Sequence, residues 1–210
     1  DNGMICASEQ AVIVEKEIAA DFEKYMKLNN CYFLNAEETE KLTKYMFPDP
    51  NKGVFAPVVG KSANWIAEQA GLTVPEKTKI LIAPLDHPGN DHPLSKEKLS
   101  PVLAYFICKD KEEGFQFANT MLELGGLGHS AVIHTGDMEI ADEYGVRMKV
   151  GRIIVNSPSS QGAIGDIYNT NTPSLTLGCG SYGKNSVSQN VTTVNLVNKK
   201  RIAKRRVNMQ

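Results

Sequence analysis

Short apolar runs that alternate with amphipathic segments constrain the fold of this chain more than any other feature of its sequence. Five runs are typical of buried strands because they are short and rich in β-branched or other apolar residues: 11–15, 79–83, 102–108, 130–134 and 152–155. Segments with apolar residues at helical spacing predict helices at 16–29, 36–47, 62–69, 111–124 and 136–145. This order predicts an α/β domain with a largely parallel sheet flanked on both sides by helices.

The composition fits one soluble globular domain and excludes several classes of function. The chain has 210 residues, of which 41% are hydrophobic, and its formal net charge is -1, so we expect neither nucleic acid nor a membrane as partner. No apolar segment approaches the roughly 20 residues that span a bilayer. The four cysteines lack the spacing of a zinc knuckle, which indicates free thiols in a reducing compartment and a cytoplasmic protein.

The sequence changes character after Asn156. The stretch that follows, to residue 190, is rich in Ser, Gly, Asn and Thr and is too long for an idle connection, so we expect a binding surface there. Residues 195–210 are basic, and we predict a basic C-terminal helix that docks through one apolar stripe. Nucleic-acid binding by this helix is disfavoured, because it has no interleaved aromatic residues for base stacking. We assign residues 1–194 to one domain.

Cys6 is the first candidate for chemistry. Small and capping residues follow it, with Glu9 and Gln10 behind them, so we predict a short helical turn that begins at the cysteine. The free N–H groups of such a turn favour a thiolate, which is the nucleophilic form of cysteine. The alternative is a small buried apolar residue, the commoner role of an isolated cysteine.

Four motifs in a fixed order resemble those of one enzyme family. Residues 2–10 read N-G-M-I-C-A-S-E-Q, which resembles the catalytic-cysteine motif of the CoA-acylating aldehyde dehydrogenases, above all the aldehyde dehydrogenase half of bifunctional aldehyde-alcohol dehydrogenases. The segments E-K-L-S-P at 97–101, G-G-L-G-H-S at 125–130 and P-S-L-T-L-G-C-G-S-Y-G at 173–183 resemble three further motifs of that family. The resemblance therefore extends along the chain.

The resemblance implies the catalytic, or substrate, domain of the aldehyde dehydrogenase fold. The family's cofactor domain lies mostly upstream of the cysteine, so we expect this chain to be a fragment of a longer polypeptide, with the basic C-terminal helix returning toward the missing domain. The implied cofactor is NAD, bound mostly by that domain, and the implied co-substrate is CoA. We expect the full-length protein to be a homo-oligomer, in the cytoplasm or in a bacterial microcompartment.

The resemblance also assigns roles to individual residues. Cys6 is the nucleophile that forms a thioester, and His129 is the acid-base residue of the CoA transfer. Glu97 accepts hydrogen bonds from the nicotinamide ribose, and Leu99 lies against the nicotinamide. Without the resemblance, a glutamate between two lysines is a solvated charge and a histidine after a glycine turn is a surface residue.

Residues 178–183 satisfy the G-x-G-x-x-G pattern but do not predict a dinucleotide fingerprint. That fingerprint needs a helix directly after the glycines and an acidic residue about 20 positions on, and the sequence supplies neither. We interpret the segment as a loop that borders the substrate, with Gly180 and Ser181 as its candidate contacts.

Asp86, His87, Asp91 and His92 have the residue types of a metal site. They lie in a loop rich in proline and glycine, and no predicted helix places them on one face. From the sequence we therefore expect no metal.

These observations predict the oxidation of a short aldehyde to an acyl-CoA, with NAD as the oxidant and a cysteine thioester as the intermediate. Two alternatives remain open. The protein could be a hydrolytic aldehyde dehydrogenase that releases a free acid, or a structural and assembly domain that keeps the fold without the chemistry. We expect the isolated fragment to be inactive.

Overall fold

A four-stranded parallel sheet forms the centre of the larger part of the molecule. The structure, a computed structural model, describes residues 1–206. The strands are β1 (Ala11–Glu15), β2 (Cys31–Phe33), β3 (Ile80–Pro84) and β4 (Val102–Cys108), in the spatial order β1-β4-β3-β2. All neighbouring strands run parallel, which confirms the predicted sheet type.

Helices cover both faces of this sheet because successive side chains of a strand point to opposite sides. The helices are α1 (Ala19–Leu28), α2 (Ala36–Met46) and α3 (Ala63–Gln69). Leu81 of β3 belongs to the buried cluster that includes Leu42 of α2 and Ile66 of α3. The next residue, Ile82, belongs to the opposite cluster, against which Phe22 of α1 packs.

A second, two-stranded parallel sheet follows along the chain. It consists of β5 (Gly128–Ile133) and β6 (Val150–Val155), with α4 (Lys111–Met121) and α5 (Met138–Arg147) on one face. Phe115 of α4 and Tyr144 of α5 form the cluster against which Ile153 of β6 packs. On the other face, Ile154 packs with Ala7 and Ala163. The predicted parallel strands therefore divide between two sheets, and the segment that holds Cys6 lies against the second one.

Among the described residues after β6, two short helices are present, α6 (Ser159–Gly162) and α7 (Thr193–Leu196). The predicted basic helix at 195–210 is wrong for the described residues, since residues 197–206 are not helical. Ile202 is 88% exposed, so the predicted apolar stripe does not pack against the described part of the chain. Without such packing, a short helix of like charges is only marginally stable in water. Residues 207–210 lie outside the described part of the chain. Up to residue 206, no helix is both long enough and apolar enough to cross a bilayer.

Candidate active site

Cys6 lies in a tight turn and not at the start of a helix. Ser8 N donates to Ile5 O at 2.8 Å, which closes the turn, and β1 begins at Ala11. The predicted helical turn is therefore wrong, because the chain is drawn into the sheet before a helix can form. The Cys6 thiol is free and the residue is exposed, which excludes the alternative of a buried core cysteine.

Residues 2–10, here called the Cys6 segment, contact the backbone around Glu97 and Leu99, the residues predicted to bind the cofactor. Lys98 N donates to Gln10 Oε1 at 2.8 Å, across 88 positions of sequence. This bond holds the Gln10 side chain beside the backbone of Lys98, the residue between Glu97 and Leu99. The structure therefore brings the Cys6 segment and both of these residues to one region.

The same segment is held on its other side by the second sheet. Ala7 is buried in a cluster with Ile154 of β6. Glu9 Oε1 accepts a hydrogen bond from Ser159 N, at the first residue of α6, at 2.7 Å. Cys6 is thus placed between the large sheet and the small one, a position that the sequence pattern did not indicate.

Glu97 is exposed, and its neighbour Lys98 is not. Within residues 1–206, no hydrogen bond or ion pair uses the Glu97 carboxylate, so both oxygens are available to a ligand. The Lys98 side chain is fully buried, and its Nζ donates to Leu94 O and to Lys96 O, both at 2.8 Å. Burial lowers the pKa of Lys98 to about 7. These two hydrogen bonds hold the backbone around Glu97 in one conformation.

Leu99 is half-buried and has a left-handed backbone conformation, with φ of 47°. Its carbonyl oxygen accepts a hydrogen bond from Gly60 N at 3.0 Å. The Gly60 carbonyl in turn accepts one from Asn2 Nδ2 at 2.9 Å. This relay is a second connection between Leu99 and the segment that carries Cys6.

His129 is half-buried near the start of β5. Its Nδ1 lies 3.1 Å from Ser130 Oγ, while its Nε2 is buried without a hydrogen-bond partner in the described residues. Burial lowers the pKa of His129, and the positive charge of Arg152 lowers it further. Because the pKa is lowered, the imidazole is neutral near pH 7 and can accept a proton.

The glycine-rich loop is seated directly on β5. Gly128 has a φ of 81°, and a Cβ at this position would collide with the Cys179 carbonyl oxygen, so only glycine allows the loop to approach. Gly180 and Ser181 line an open cavity of about 340 Å³ in the same loop. No helix follows Gly183 until Thr193, which confirms that these glycines are not a dinucleotide fingerprint.

Arg152 of β6 fastens this loop to the strand that carries His129. Its guanidinium donates to the carbonyl oxygens of His129 (3.3 Å), Gly178 (3.1 Å) and Ser188 (2.9 Å). Sequence reasoning missed Arg152, since an arginine at a strand start carries no signal of the distant carbonyls it meets. It missed Lys98 for a similar reason, because a lysine next to a charged residue such as Glu97 is expected to be solvated.

The predicted residues fall into two groups that meet at β6. Cys6 lies with Glu97 and Leu99, while His129 lies with the loop of Gly180 and Ser181. No hydrogen bond within residues 1–206 joins Cys6 to His129. The connection runs through β6, where Ile154 packs on the Cys6 segment and Arg152, two residues earlier, holds the other group.

The loop after β3 brings Asp86, His87 and His92 together without the help of a helix. One donor atom of each lies within 4.8 Å of the others. No helix aligns these residues; instead, the loop turns back on itself, with His92 N donating to Gly89 O, and this brings the three side chains together.

Comparison with known proteins agrees with this geometry. No protein-family model matches the chain. The chain is 50% identical to an aldehyde-alcohol dehydrogenase of Streptococcus pneumoniae and 42% identical to the bifunctional aldehyde-alcohol dehydrogenase of Escherichia coli K12. Both alignments cover 100% of this chain, but only 25% and 24% of the respective relatives. The chain thus spans about a quarter of the length of these curated relatives.

A solved structure gives the same result for the fold. An acetylating aldehyde dehydrogenase from Geobacillus thermoglucosidasius matches with a TM-score of 0.88 and 41% identity, over 100% of this chain and 46% of that chain. Sequence and fold agree over the whole chain, and both match what the four motifs predicted. The whole chain is therefore homologous to part of the aldehyde dehydrogenase portion of the aldehyde-alcohol dehydrogenases, and it shares its fold with an acetylating aldehyde dehydrogenase.

Proposed function

We propose that the full-length protein oxidises a short aldehyde to an acyl-CoA, reversibly, with NAD as oxidant and with Cys6 as the residue that carries the acyl group. The observation that supports this most strongly is the position of Cys6. It is exposed, and its segment is tied to the Glu97–Leu99 backbone on one side and to the second sheet on the other. A nucleophile between a cofactor surface and a substrate loop is what thioester chemistry requires.

In this proposal the Cys6 thiolate attacks the aldehyde carbon, and the carbonyl oxygen becomes an oxyanion. Within residues 1–206, the Cys6 backbone N–H makes no hydrogen bond, so it is free to donate to that oxyanion. Loss of a hydride from the same carbon then gives a thioester on Cys6. The turn closed by Ser8 and Ile5 keeps the thiol and this N–H on the same short loop.

Glu97 and Leu99 fit the nicotinamide end of a dinucleotide. The unpaired Glu97 carboxylate has two acceptor oxygens for a pair of ribose hydroxyls, and half-buried Leu99 offers an apolar surface beside it. A bound nicotinamide cofactor supplies the two-electron acceptor for the hydride. Lys98 holds this backbone in place through its bonds to Leu94 O and Lys96 O.

His129 is proposed to act in the second half-reaction. Its neutral imidazole takes the S–H proton of CoA, and the resulting CoA thiolate attacks the thioester carbon and releases the Cys6 thiolate. His129 Nε2 has no hydrogen-bond partner in the described residues, so it is the ring nitrogen proposed to take that proton, and it must become accessible when CoA binds. Gly180 and Ser181 line the cavity of the neighbouring loop and are proposed to border the acyl group or the CoA chain.

Product analysis separates this proposal from its two alternatives. The full-length protein is incubated with acetaldehyde and NAD, with and without CoA, beside Cys6→Ser and a Cys179→Ser control. We expect acetyl-CoA only when CoA is present, with loss of activity in Cys6→Ser and retention in Cys179→Ser. Free acetate formed equally without CoA would indicate the hydrolytic alternative. No Cys6-dependent product under any condition would indicate the assembly domain.

Two further expectations concern the full-length protein: a homo-oligomeric state, which the resemblance implies, and a location in the cytoplasm or in a bacterial microcompartment, which the free thiols favour. Sedimentation of the purified protein and fractionation of its host cells test them. A monomer at working concentration would contradict the first expectation, and recovery in the membrane fraction would contradict the second.

A further inference from the structure

The loop between β3 and Glu97 contains a cluster of metal-ligating side chains that the proposed reaction does not use. Asp86 Oδ1 lies 2.8 Å from His92 Nε2 and 3.2 Å from His87 Nδ1. The two imidazole rings are 4.7 Å apart between centroids, nearly perpendicular to each other. Two nitrogens therefore converge on one carboxylate oxygen.

We propose that Asp86, His87 and His92 bind a divalent transition-metal ion, with Zn²⁺ as the ion whose ligand preferences match the site. Zinc takes imidazole nitrogen and carboxylate oxygen at about 2.0–2.2 Å. Ligand atoms around a tetrahedral ion are then about 3.3 Å apart. The two distances from Asp86 Oδ1, 2.8 and 3.2 Å, are close to that value, and all three ligand atoms lie within 4.8 Å of one another, so side-chain rotations are enough to place them around the ion.

Asp91 stands where a supporting carboxylate belongs. Its Oδ2 lies 2.9 Å from His87 Nε2, the ring nitrogen opposite the one that faces Asp86. A carboxylate on the far nitrogen orients a ligating histidine and fixes its tautomer. Together, Asp86 and Asp91 supply two negative charges to balance a divalent cation.

The absence of a side chain at Gly89 leaves room for the Asp91 carboxylate in its present position. A Cβ at residue 89 would displace this carboxylate, which contacts His87. The loop is closed by His92 N, which donates to Gly89 O at 3.2 Å, and by Gly89 N, which donates to Ser95 Oγ at 3.3 Å. These bonds bring two histidines five positions apart into ring contact.

Three protein ligands leave at least one coordination position for water. The site is exposed at the surface, so an ion reaches it without opening the fold. The site lies on the loop that leads to Glu97 and Lys98, but the proposed binding of Zn²⁺ does not depend on the proposed reaction.

The test uses the full-length protein after treatment with a chelator, titrated with Zn²⁺ by calorimetry and with Co²⁺ by absorption spectroscopy. The parent and every variant carry Cys6→Ser and Cys179→Ser, which removes the two cysteines of this chain that are not buried. Binding is measured as the difference between parent and variant, so ions bound elsewhere in the full-length protein cancel.

We expect His87→Ala and His92→Ala each to weaken Zn²⁺ binding at one site per chain by more than about 100-fold, since loss of a supporting carboxylate alone costs about 10- to 100-fold. Asp91→Asn should fall within that smaller range. His134→Ala, an exposed histidine outside the cluster, should bind as the parent does. The proposal is overturned if the parent and the His92→Ala variant bind the same number of Zn²⁺ ions with the same affinity. Equal thermal denaturation curves without metal confirm that each variant is folded.

Discussion

Replacement of Arg152 tests whether the second sheet organises the site. Arg152→Gln removes a charge and shortens the side chain, so the carbonyls of His129, Gly178 and Ser188 lose their common donor. A hydrogen bond to a charged group contributes about 1.5–3 kcal/mol. Water replaces the exposed bond to Ser188, so the net loss corresponds to about two bonds, or about 3 kcal/mol at the lower end of that range. That is roughly 100-fold in the equilibrium between docked and undocked loop.

The rate of acyl transfer to CoA by the full-length protein is the appropriate readout, measured as kcat/KM against pH. We expect Arg152→Gln to lower kcat/KM by about 10- to 100-fold. The acidic limb of the kcat/KM profile of this variant should also move to higher pH. Loss of the Arg152 charge raises the pKa of His129, so the imidazole stays protonated to a higher pH. Arg152→Lys keeps the charge without the planar fork, so it should lose rate but keep the position of the limb.

A matched control distinguishes these effects from a change in overall charge. Arg201→Gln alters an exposed arginine of the C-terminal stretch and should leave both rate and limb unchanged. If Arg152→Gln retained the parental rate and the parental acidic limb, the assignment of Arg152 as a residue that positions the loop and His129 would be refuted.

Three further predictions concern the buried lysine, the thiols and the isolated chain. The pKa of Lys98 is lowered from 10.5 to about 7 in the folded protein, so the unfolded chain binds an extra proton between these values and stability rises with pH in that window. In urea unfolding, the free energy of unfolding of the parent minus that of Lys98→Met should therefore increase by about 2 kcal/mol from pH 7 to pH 9. The same difference for the exposed Lys77→Met should not change with pH. A pH-independent difference for Lys98→Met would contradict the lowered pKa of this buried lysine. Peptide mapping after iodoacetamide treatment should find Cys6 alkylated well before Cys31, which is buried and whose pKa is raised by burial; equal rates would contradict the assigned exposure. The 210-residue polypeptide alone should oxidise aldehyde far more slowly than the full-length protein, and comparable rates would show that no further domain is needed.

The elements that the sequence predicts well are those whose signal is local. The strand at 102–108 is observed as β4 (Val102–Cys108), because a long apolar run is buried in any parallel sheet. The helix predicted at 62–69 is observed as α3, which Ser62 caps, with its Oγ accepting from Trp65 N. β2 (Cys31–Phe33) went unpredicted, since three residues are too few to show a period.

The predictions that failed depended on contacts between distant residues. The helical turn at Cys6 is replaced by a tight turn, because Gln10 bonds to Lys98, 88 positions away, and β1 starts directly afterwards. The motifs found Cys6, Glu97 and His129, but they carried no information on what holds them. Arg152 and Lys98 supply that support, and both depend on carbonyl groups that only the fold brings near.

Acyl transfer onto Cys6 is the central claim, and the reverse reaction tests it most directly. The full-length protein is mixed with acetyl-CoA in the absence of nicotinamide cofactor, quenched in acid and digested, and its cysteine peptides are examined by mass spectrometry. We predict an acetyl group on the peptide that contains Cys6, none on Cys179, and loss of the modified peptide in Cys6→Ser. A Cys6 peptide that remains unmodified, or one that is acetylated no more than that of Cys179, would contradict the account.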